Sequence, residues 1–184
     1  MKFFDNYFIK MVDALLSVDK KLLEAAVKSL MKVSAGGGKV IIAGNGGSAA
    51  MASHVAVDLT KNAQVRSINF NESDLITCFA NDFGYEKWIE KSLEYYADRG
   101  DCVILISSSG SSPNILNAAD KAKKMGLKLI TFSGFSPDNP LKDTGDLNFY
   151  VNSQEYNIVE MSHHIWLVAI VDRIINLQSV SSAI

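Results

Sequence analysis

The chain has 184 residues and a net charge of −2 at pH 7, with 48% hydrophobic and 21% charged residues. This composition is typical of a folded globular protein and excludes a disordered one. The near-neutral charge provides no broad basic field, so nucleic-acid binding by bulk electrostatics is not expected. No apolar run reaches the roughly 18 residues that a membrane span needs. The two distant cysteines, without metal-type spacing, favour free thiols in a cytoplasmic protein.

The first part of the chain, about residues 1–35, has a helical pattern. Phe4, Phe8 and Leu15 share one stripe, and Asp5 and Lys10 interrupt the apolar residues. This arrangement predicts an amphipathic helix rather than a signal peptide, followed by a second helix that ends at the glycines 36–38.

Short apolar runs and helical stretches then alternate along the chain. Strands are predicted at 39–43, 65–69, 102–106, 127–132 and 147–151. Helices are predicted at 48–59, 74–80, 85–97, 114–125 and 157–177. The alternation predicts the α/β class, a three-layer sandwich whose mainly parallel sheet has helices on both faces. We expect a single domain over 1–184, with the N-terminal helices as an extension.

Two unusual loops follow predicted strands, at the carboxyl edge where such sheets bind ligands. The loop at 107–113 has five serines around one glycine and leads into a helix, whose free N–H groups and positive dipole suit a phosphate. The serines would alternatively just cap that helix. The loop at 44–48 lacks the G-x-G-x-x-G spacing of dinucleotide sites and resembles no P-loop, so a shared anion crevice is the better interpretation.

Three motifs in this order resemble the sugar isomerase (SIS) family, in particular its phosphoheptose isomerase branch. They are GNGGS at 44–48, NDFGY at 81–85 and ISSSGSSPN at 106–114. The resemblance covers nearly the whole chain and implies a five-stranded parallel sheet. It also implies a cytoplasmic homotetramer with active sites at subunit interfaces. The implied substrate is a phosphorylated sugar, with sedoheptulose 7-phosphate as the family's substrate.

The resemblance also implies which residues hold the phosphosugar. The serine loop would bind the phosphate through Ser107, Ser108, Ser109 and Ser112. The glycine loop would line the sugar through Asn45, Gly46, Gly47 and Ser48. Asn81 and Asp82 match a pair that lines the same pocket, and Tyr156 and Asn157 are expected at its rim.

An aldose–ketose isomerase moves a proton between adjacent carbons through an enediol and needs acid–base groups there. The family places a His and a Glu four residues apart on one helical face, and these positions are His54 and Asp58. On the last helix the family has a Gln, a Glu and a His, whereas this chain has Val159, Glu160 and Leu167.

His163 and His164, three and four residues after Glu160, are therefore candidates for the missing imidazole. Zinc is the one cofactor that the resemblance suggests, with His54 and Asp58 as ligands, but two ligands are too few to define a site. The catalytic candidates are Asp58, His54, Glu160, His163 and His164. Their structural alternatives are a helix-surface histidine, an ion pair between Asp58 and Lys61, and an interhelical polar contact.

Two further functions remain open at this point. A non-catalytic SIS module would keep the phosphate loop while binding a phosphosugar or a protein partner such as a replication initiator. An isomerase of the same kind would alternatively act on a different sugar phosphate, because pocket shape decides the substrate.

Overall fold

The computed structural model describes residues 2–181, and this range contains seven helices and five strands. The helices are α1 (Lys2–Leu16), α2 (Lys20–Ala35), α3 (Gly47–Lys61), α4 (Ser73–Phe83), α5 (Trp88–Tyr96), α6 (Pro113–Lys124) and α7 (Tyr156–Ser181). The strands are β1 (Val40–Gly44), β2 (Ser67–Asn69), β3 (Cys102–Ser107), β4 (Lys128–Gly134) and β5 (Leu147–Val151).

The five strands form one sheet in the order β2-β1-β3-β4-β5, and every neighbouring pair is parallel. The predicted α/β class with a five-stranded parallel sheet is therefore confirmed. The fifth helix begins at Trp88 rather than at the predicted Tyr85. Residues 84–87 instead form a turn, in which Gly84 has a φ of 87° and the Lys87 N–H donates to the Gly84 carbonyl.

Hydrophobic cores lie on both faces of the sheet, as the two-sided burial of the strands requires. In β1, Ile42 packs into the core under α2, α3 and α7, whereas Ile41 packs into the core under α5 and α6. Successive strand side chains point to opposite faces, so a continuous apolar run supplies both cores at once.

The order of the strands brings the two unusual loops together. After β1 the chain passes to β2 on one side and then returns to β3 on the other side of β1. Gly44 at the end of β1 is paired with Ile106 near the end of β3. The glycine loop and the serine loop therefore flank the switch point of the sheet, where a crevice opens beyond the strand ends.

The N-terminal helix contributes little to the cores. It contacts α7, but none of its described residues is buried, and Phe3, Phe8 and Leu16 are 72%, 61% and 70% exposed. Within residues 2–181, no helix is both long and apolar enough to cross a membrane.

Candidate functional site

The glycine loop brings the start of α3 close to the end of β1. Gly46 has a φ of 55°, a conformation that favours glycine. A Cβ on Gly44 would lie 2.6 Å from Ser48 Cβ, so only glycine permits this approach. Gly46, at the N-cap position, has no side chain that could cap α3. The loop thus presents an uncapped helix N-terminus, which attracts negative charge.

The serine loop presents a second uncapped helix N-terminus. Gly110 has a φ of 62° and donates its N–H to the Ser107 carbonyl, which closes a turn. Ser112 occupies the N-cap position of α6 but makes no capping hydrogen bond, and the Ser107 and Ser112 hydroxyls instead lie 3.3 Å apart. The alternative that these serines only cap the helix therefore finds no support in the geometry of Ser112.

A cavity of about 160 Å³ lies between the two loops. Its lining residues are predominantly polar and uncharged: Asn45, Ser48, Ile106, Ser107, Ser108, Ser109, Ser112 and Tyr156. The Ser108 hydroxyl is buried and has no hydrogen-bond partner within the described chain. Such a hydroxyl costs free energy unless a ligand or a water satisfies it. The cavity therefore has the size and the donors for a phosphate group.

The glycine loop is tied to α6 by a pair of amides, of which sequence analysis named Asn45 but not its partner Asn114. Asn114 Nδ2 donates to Asn45 Oδ1 at 2.8 Å, and Asn45 Nδ2 donates to Asn114 Oδ1 at 3.0 Å. The Tyr85 hydroxyl also donates to Asn45 Oδ1 at 3.1 Å. These bonds fix the two loops relative to each other. The only signal for them in the sequence is that Tyr85 and Asn114 stand inside the quoted motifs.

Asn81 and Asp82 lie near the end of α4 and are both exposed. Their side chains bond to each other at 2.9 Å. Neither lines the cavity within this chain, so their predicted role in the pocket stays a prediction.

Glu160 lies on α7 against the start of α3. A Cβ built on Gly47 would lie 2.8 Å from Glu160 Cδ. Tyr156, one turn earlier on α7, lines the cavity as predicted for the rim. Removal from water raises the pKa of the Glu160 carboxyl above its usual value. Within one chain, Glu160 is therefore a partly desolvated carboxyl beside the crevice.

Further along the groove between α3 and α7, three side chains lie in contact, with His54 in the middle. His54 Nε2 lies 3.2 Å from Asp58 Oδ2, and His54 Nδ1 lies 2.9 Å from His164 Nε2. A cleft of about 270 Å³ borders both imidazoles. Partial burial and the neighbouring His54 lower the pKa of His164.

The structure separates the two histidines that the sequence offered as alternatives. His164 meets His54, whereas His163 is fully buried behind the sheet with its Nε2 3.0 Å from the Ser133 carbonyl oxygen. Burial lowers the pKa of His163 to about 4. The expectation that His163 faces the site is corrected: its ring packs between Phe132 and Trp166, in the core.

The residues present do not fit the zinc cage that the resemblance suggests. Zinc in proteins usually has four ligands in tetrahedral geometry. Among residues 2–181, no group of three or more His, Cys, Asp or Glu side chains is arranged to hold a metal ion. Val159 and Leu167, at the family's Gln and His positions, are apolar and buried.

Comparisons with known proteins agree with this geometry. A family model described as SIS domain matches residues 3–134. The phosphoheptose isomerase of Fusobacterium nucleatum subsp. nucleatum is 32% identical over 159 residues, which cover 84% of this chain and 81% of that protein. The phosphoheptose isomerase of Helicobacter pylori (strain P12) is 33% identical over 151 residues, which cover 78% of each chain.

The fold is also similar to that of a solved structure. The phosphoheptose isomerase GmhA from Neisseria gonorrhoeae superposes with a TM-score of 0.85. The match covers 94% of this chain and 98% of that chain at 24% identity. At this identity the likeness establishes the arrangement of helices and strands.

Proposed function

The chain belongs to the SIS domain family, and from this membership we propose that it is a sugar-phosphate isomerase that interconverts a ketose phosphate and an aldose phosphate. Its relatives named phosphoheptose isomerase support sedoheptulose 7-phosphate as the substrate. The observation that carries the proposal is the polar cavity between two uncapped helix N-termini, with the Glu160 carboxyl beside it.

The phosphate would occupy the cavity of the serine loop. Ser107, Ser109 and Ser112 supply hydroxyl donors, and the first turn of α6 supplies N–H groups and the positive end of a helix dipole. The unpartnered Ser108 hydroxyl would gain a partner from the ligand. No lysine or arginine lines the cavity, so neutral donors would carry the recognition.

The sugar would extend from this cavity along the groove between α3 and α7. In sedoheptulose 7-phosphate the reacting carbons, C1 and C2, lie at the end of the chain remote from the phosphate. His54 lies seven residues, or about 10 Å, beyond Gly47 along α3. This distance supports a role for Asp58 and His54, with His164 behind them, at the reacting carbons, and a role for Glu160 at the hydroxyls between.

The proposed reaction proceeds through an enediol. A base removes a proton from C1 of the ketose and returns a proton to C2, while a second proton passes from O1 to O2. The result is an aldehyde at C1 and a hydroxyl at C2, with no net gain or loss of protons. We assign the transfer between carbons to Asp58 and His54, since imidazoles and carboxylates are the usual acid–base groups of enzymes near pH 7.

We also propose that the protein is a homotetramer with crevices at subunit interfaces. The exposed apolar side chains of α1 support an association surface, because monomers rarely expose such patches. Light scattering coupled to gel filtration would test it. Phe4→Asp with Phe8→Asp should dissociate the assembly, whereas Asn6→Asp on the same helix should leave it intact. A monomeric parent protein would contradict the proposal.

The isomerase proposal is tested by following aldose formation from sedoheptulose 7-phosphate by NMR. We expect turnover with the phosphorylated ketose and none with free sedoheptulose, because the serine loop binds only the ester. Ser107→Ala with Ser112→Ala should raise KM strongly. Absence of turnover with several ketose phosphates would contradict the enzyme.

A non-catalytic module is the second candidate, and the apolar Val159 and Leu167 favour it. Such a module would bind the phosphosugar tightly without converting it, or would hold a protein partner such as a replication initiator. Binding measured by calorimetry together with the turnover assay separates the two functions. An isomerase of another sugar phosphate would show turnover only with a different substrate in the same assay.

A further inference from the structure

His54 is held from two sides by groups of different chemistry. Its Nε2 faces the Asp58 carboxylate at 3.2 Å, and its Nδ1 faces His164 Nε2 at 2.9 Å. A carboxylate only accepts hydrogen bonds, so the tautomer of His54 that suits the Asp58 contact carries its proton on Nε2. His54 Nδ1 is then an acceptor, and His164 must donate from Nε2. In this arrangement both ring nitrogens of His54 already face a protein group.

This arrangement differs from a metal cage in two respects. Two imidazole nitrogens bound to one tetrahedral zinc ion would be about 3.3 Å apart, given Zn–N distances of about 2.0–2.1 Å. The observed 2.9 Å is instead a hydrogen-bond separation. In addition, His54 offers different nitrogens to Asp58 and His164, so no single ion contacts all three side chains through it.

The positions that would complete a cage also lack donors. Val159 and Leu167 are both buried and belong to the core that α7 shares with α3. His164 lies on a different side of α7, where it borders the cleft with His54. The imidazole on the last helix has therefore moved out of the core position to one from which it bonds directly to His54.

We infer that the contacting group Asp58–His54–His164 replaces the zinc site of the family in this protein, so that its isomerase reaction does not depend on a divalent metal. This inference rests on the proposed function. His164 is a positioning residue: it holds the His54 ring in the orientation and tautomer that Asp58 requires, as a metal ion would otherwise do.

The first test measures metal binding independently of activity. The purified wild-type chain, treated with EDTA and then dialysed, is titrated with ZnCl₂ by calorimetry, and its metal content is determined by mass spectrometry before treatment. We expect less than stoichiometric zinc and no specific binding isotherm. One equivalent of zinc, bound by the wild type and lost in His164→Leu, would overturn the inference.

The second test reads the hydrogen bonds themselves. In ¹⁵N NMR of the imidazole rings, with signals assigned by a His54→Gln variant, the metal-free protein should show His54 protonated at Nε2. His164→Leu should change this signal while the circular dichroism and melting temperature stay near wild type. A His54 tautomer that is unaffected by His164→Leu would refute the positioning role, even if the fold were intact.

Measurements of turnover distinguish failure of this inference from failure of the proposed function. Turnover should be unchanged by EDTA, and His164→Leu should lower kcat about tenfold or more with little change in KM. His164→Gln, which keeps an N–H donor, should recover part of kcat. Turnover that EDTA abolishes and zinc restores would refute metal independence. Absence of any turnover would refute the proposed function, while the zinc and NMR measurements would still decide on the inference.

Discussion

Replacing Gly47 by alanine should separate catalysis from stability. Gly47 is the first residue of α3, and a Cβ there would lie 2.8 Å from both Cδ and Oε1 of Glu160. Carbon atoms in contact normally lie about 3.5–4.0 Å apart, so the carboxyl must retreat by about 1 Å. Glu160 can do so by rotating its flexible side chain. The fold can therefore accommodate the methyl group at little cost in free energy, but the Glu160 carboxyl leaves its position in the site.

The size of the two effects follows from this geometry. A misplacement of about 1 Å in a group that positions the substrate costs on the order of 100-fold in rate, which corresponds to about 2.7 kcal/mol in the barrier. The free energy of unfolding should change by less than about 1 kcal/mol, because alanine is a better helix former than glycine. Gly47→Ala should therefore lower kcat/KM for sedoheptulose 7-phosphate sharply while the melting temperature stays near wild type.

Two further variants identify the cause. Gly36→Ala, whose Cβ would lie 3.4 Å from the Lys32 carbonyl oxygen at the end of α2, is the matched control and should keep full activity. On a Glu160→Ala background, Gly47→Ala should have little additional effect, since no carboxyl remains to be displaced. Full activity of Gly47→Ala, or the same loss on both backgrounds, would contradict a displacement of the Glu160 carboxyl as the cause.

Three more predictions concern the core and the serine loop. In the unfolded chain His163 takes up a proton near pH 6.5, whereas burial lowers the pKa of its ring in the folded protein to about 4. The free energy of unfolding should therefore be highest above pH 6.5 and fall by up to about 3 kcal/mol as the pH drops towards 4. Urea unfolding at several pH values should show this slope, and His163→Leu should reduce it. Ser112→Ala should weaken the binding of inorganic phosphate, measured by calorimetry, without lowering the melting temperature, because this hydroxyl caps no helix. Gly110→Ala should impair both phosphate binding and stability, since its φ is 62° and a Cβ would collide with the Asn139 side chain; unchanged values of both would contradict the role of this turn.

The fold could be predicted from the sequence because strands that are buried on both faces of a parallel sheet appear as continuous apolar runs. Runs such as 102–106 are apolar at every position, and the structure buries them on both faces. Boundaries were less certain where a local turn competes with a helix. The helix predicted at 85–97 begins only at Trp88, because residues 84–87 form a turn in which Gly84 has a positive φ.

The serine and glycine loops could also be placed from sequence, because their residue types fit the ends of strands and the starts of helices. Their mutual contact could not. The amides of Asn45 and Asn114 are 69 residues apart, and only the position of β3 beside β1 makes them partners. No periodicity in the chain encodes such a pair.

The alternation of strands and helices, the two anion-suited loops and the acid–base residues on α3 and α7 follow from the amino-acid sequence. The choice between His163 and His164 depends on how α7 packs in the folded chain. Neighbouring residues of a helix point about 100° apart, so two adjacent imidazoles on α7 cannot both face α3. The packing of α7 on the sheet turns His163 towards Ser133 in the core and leaves His164 to meet His54.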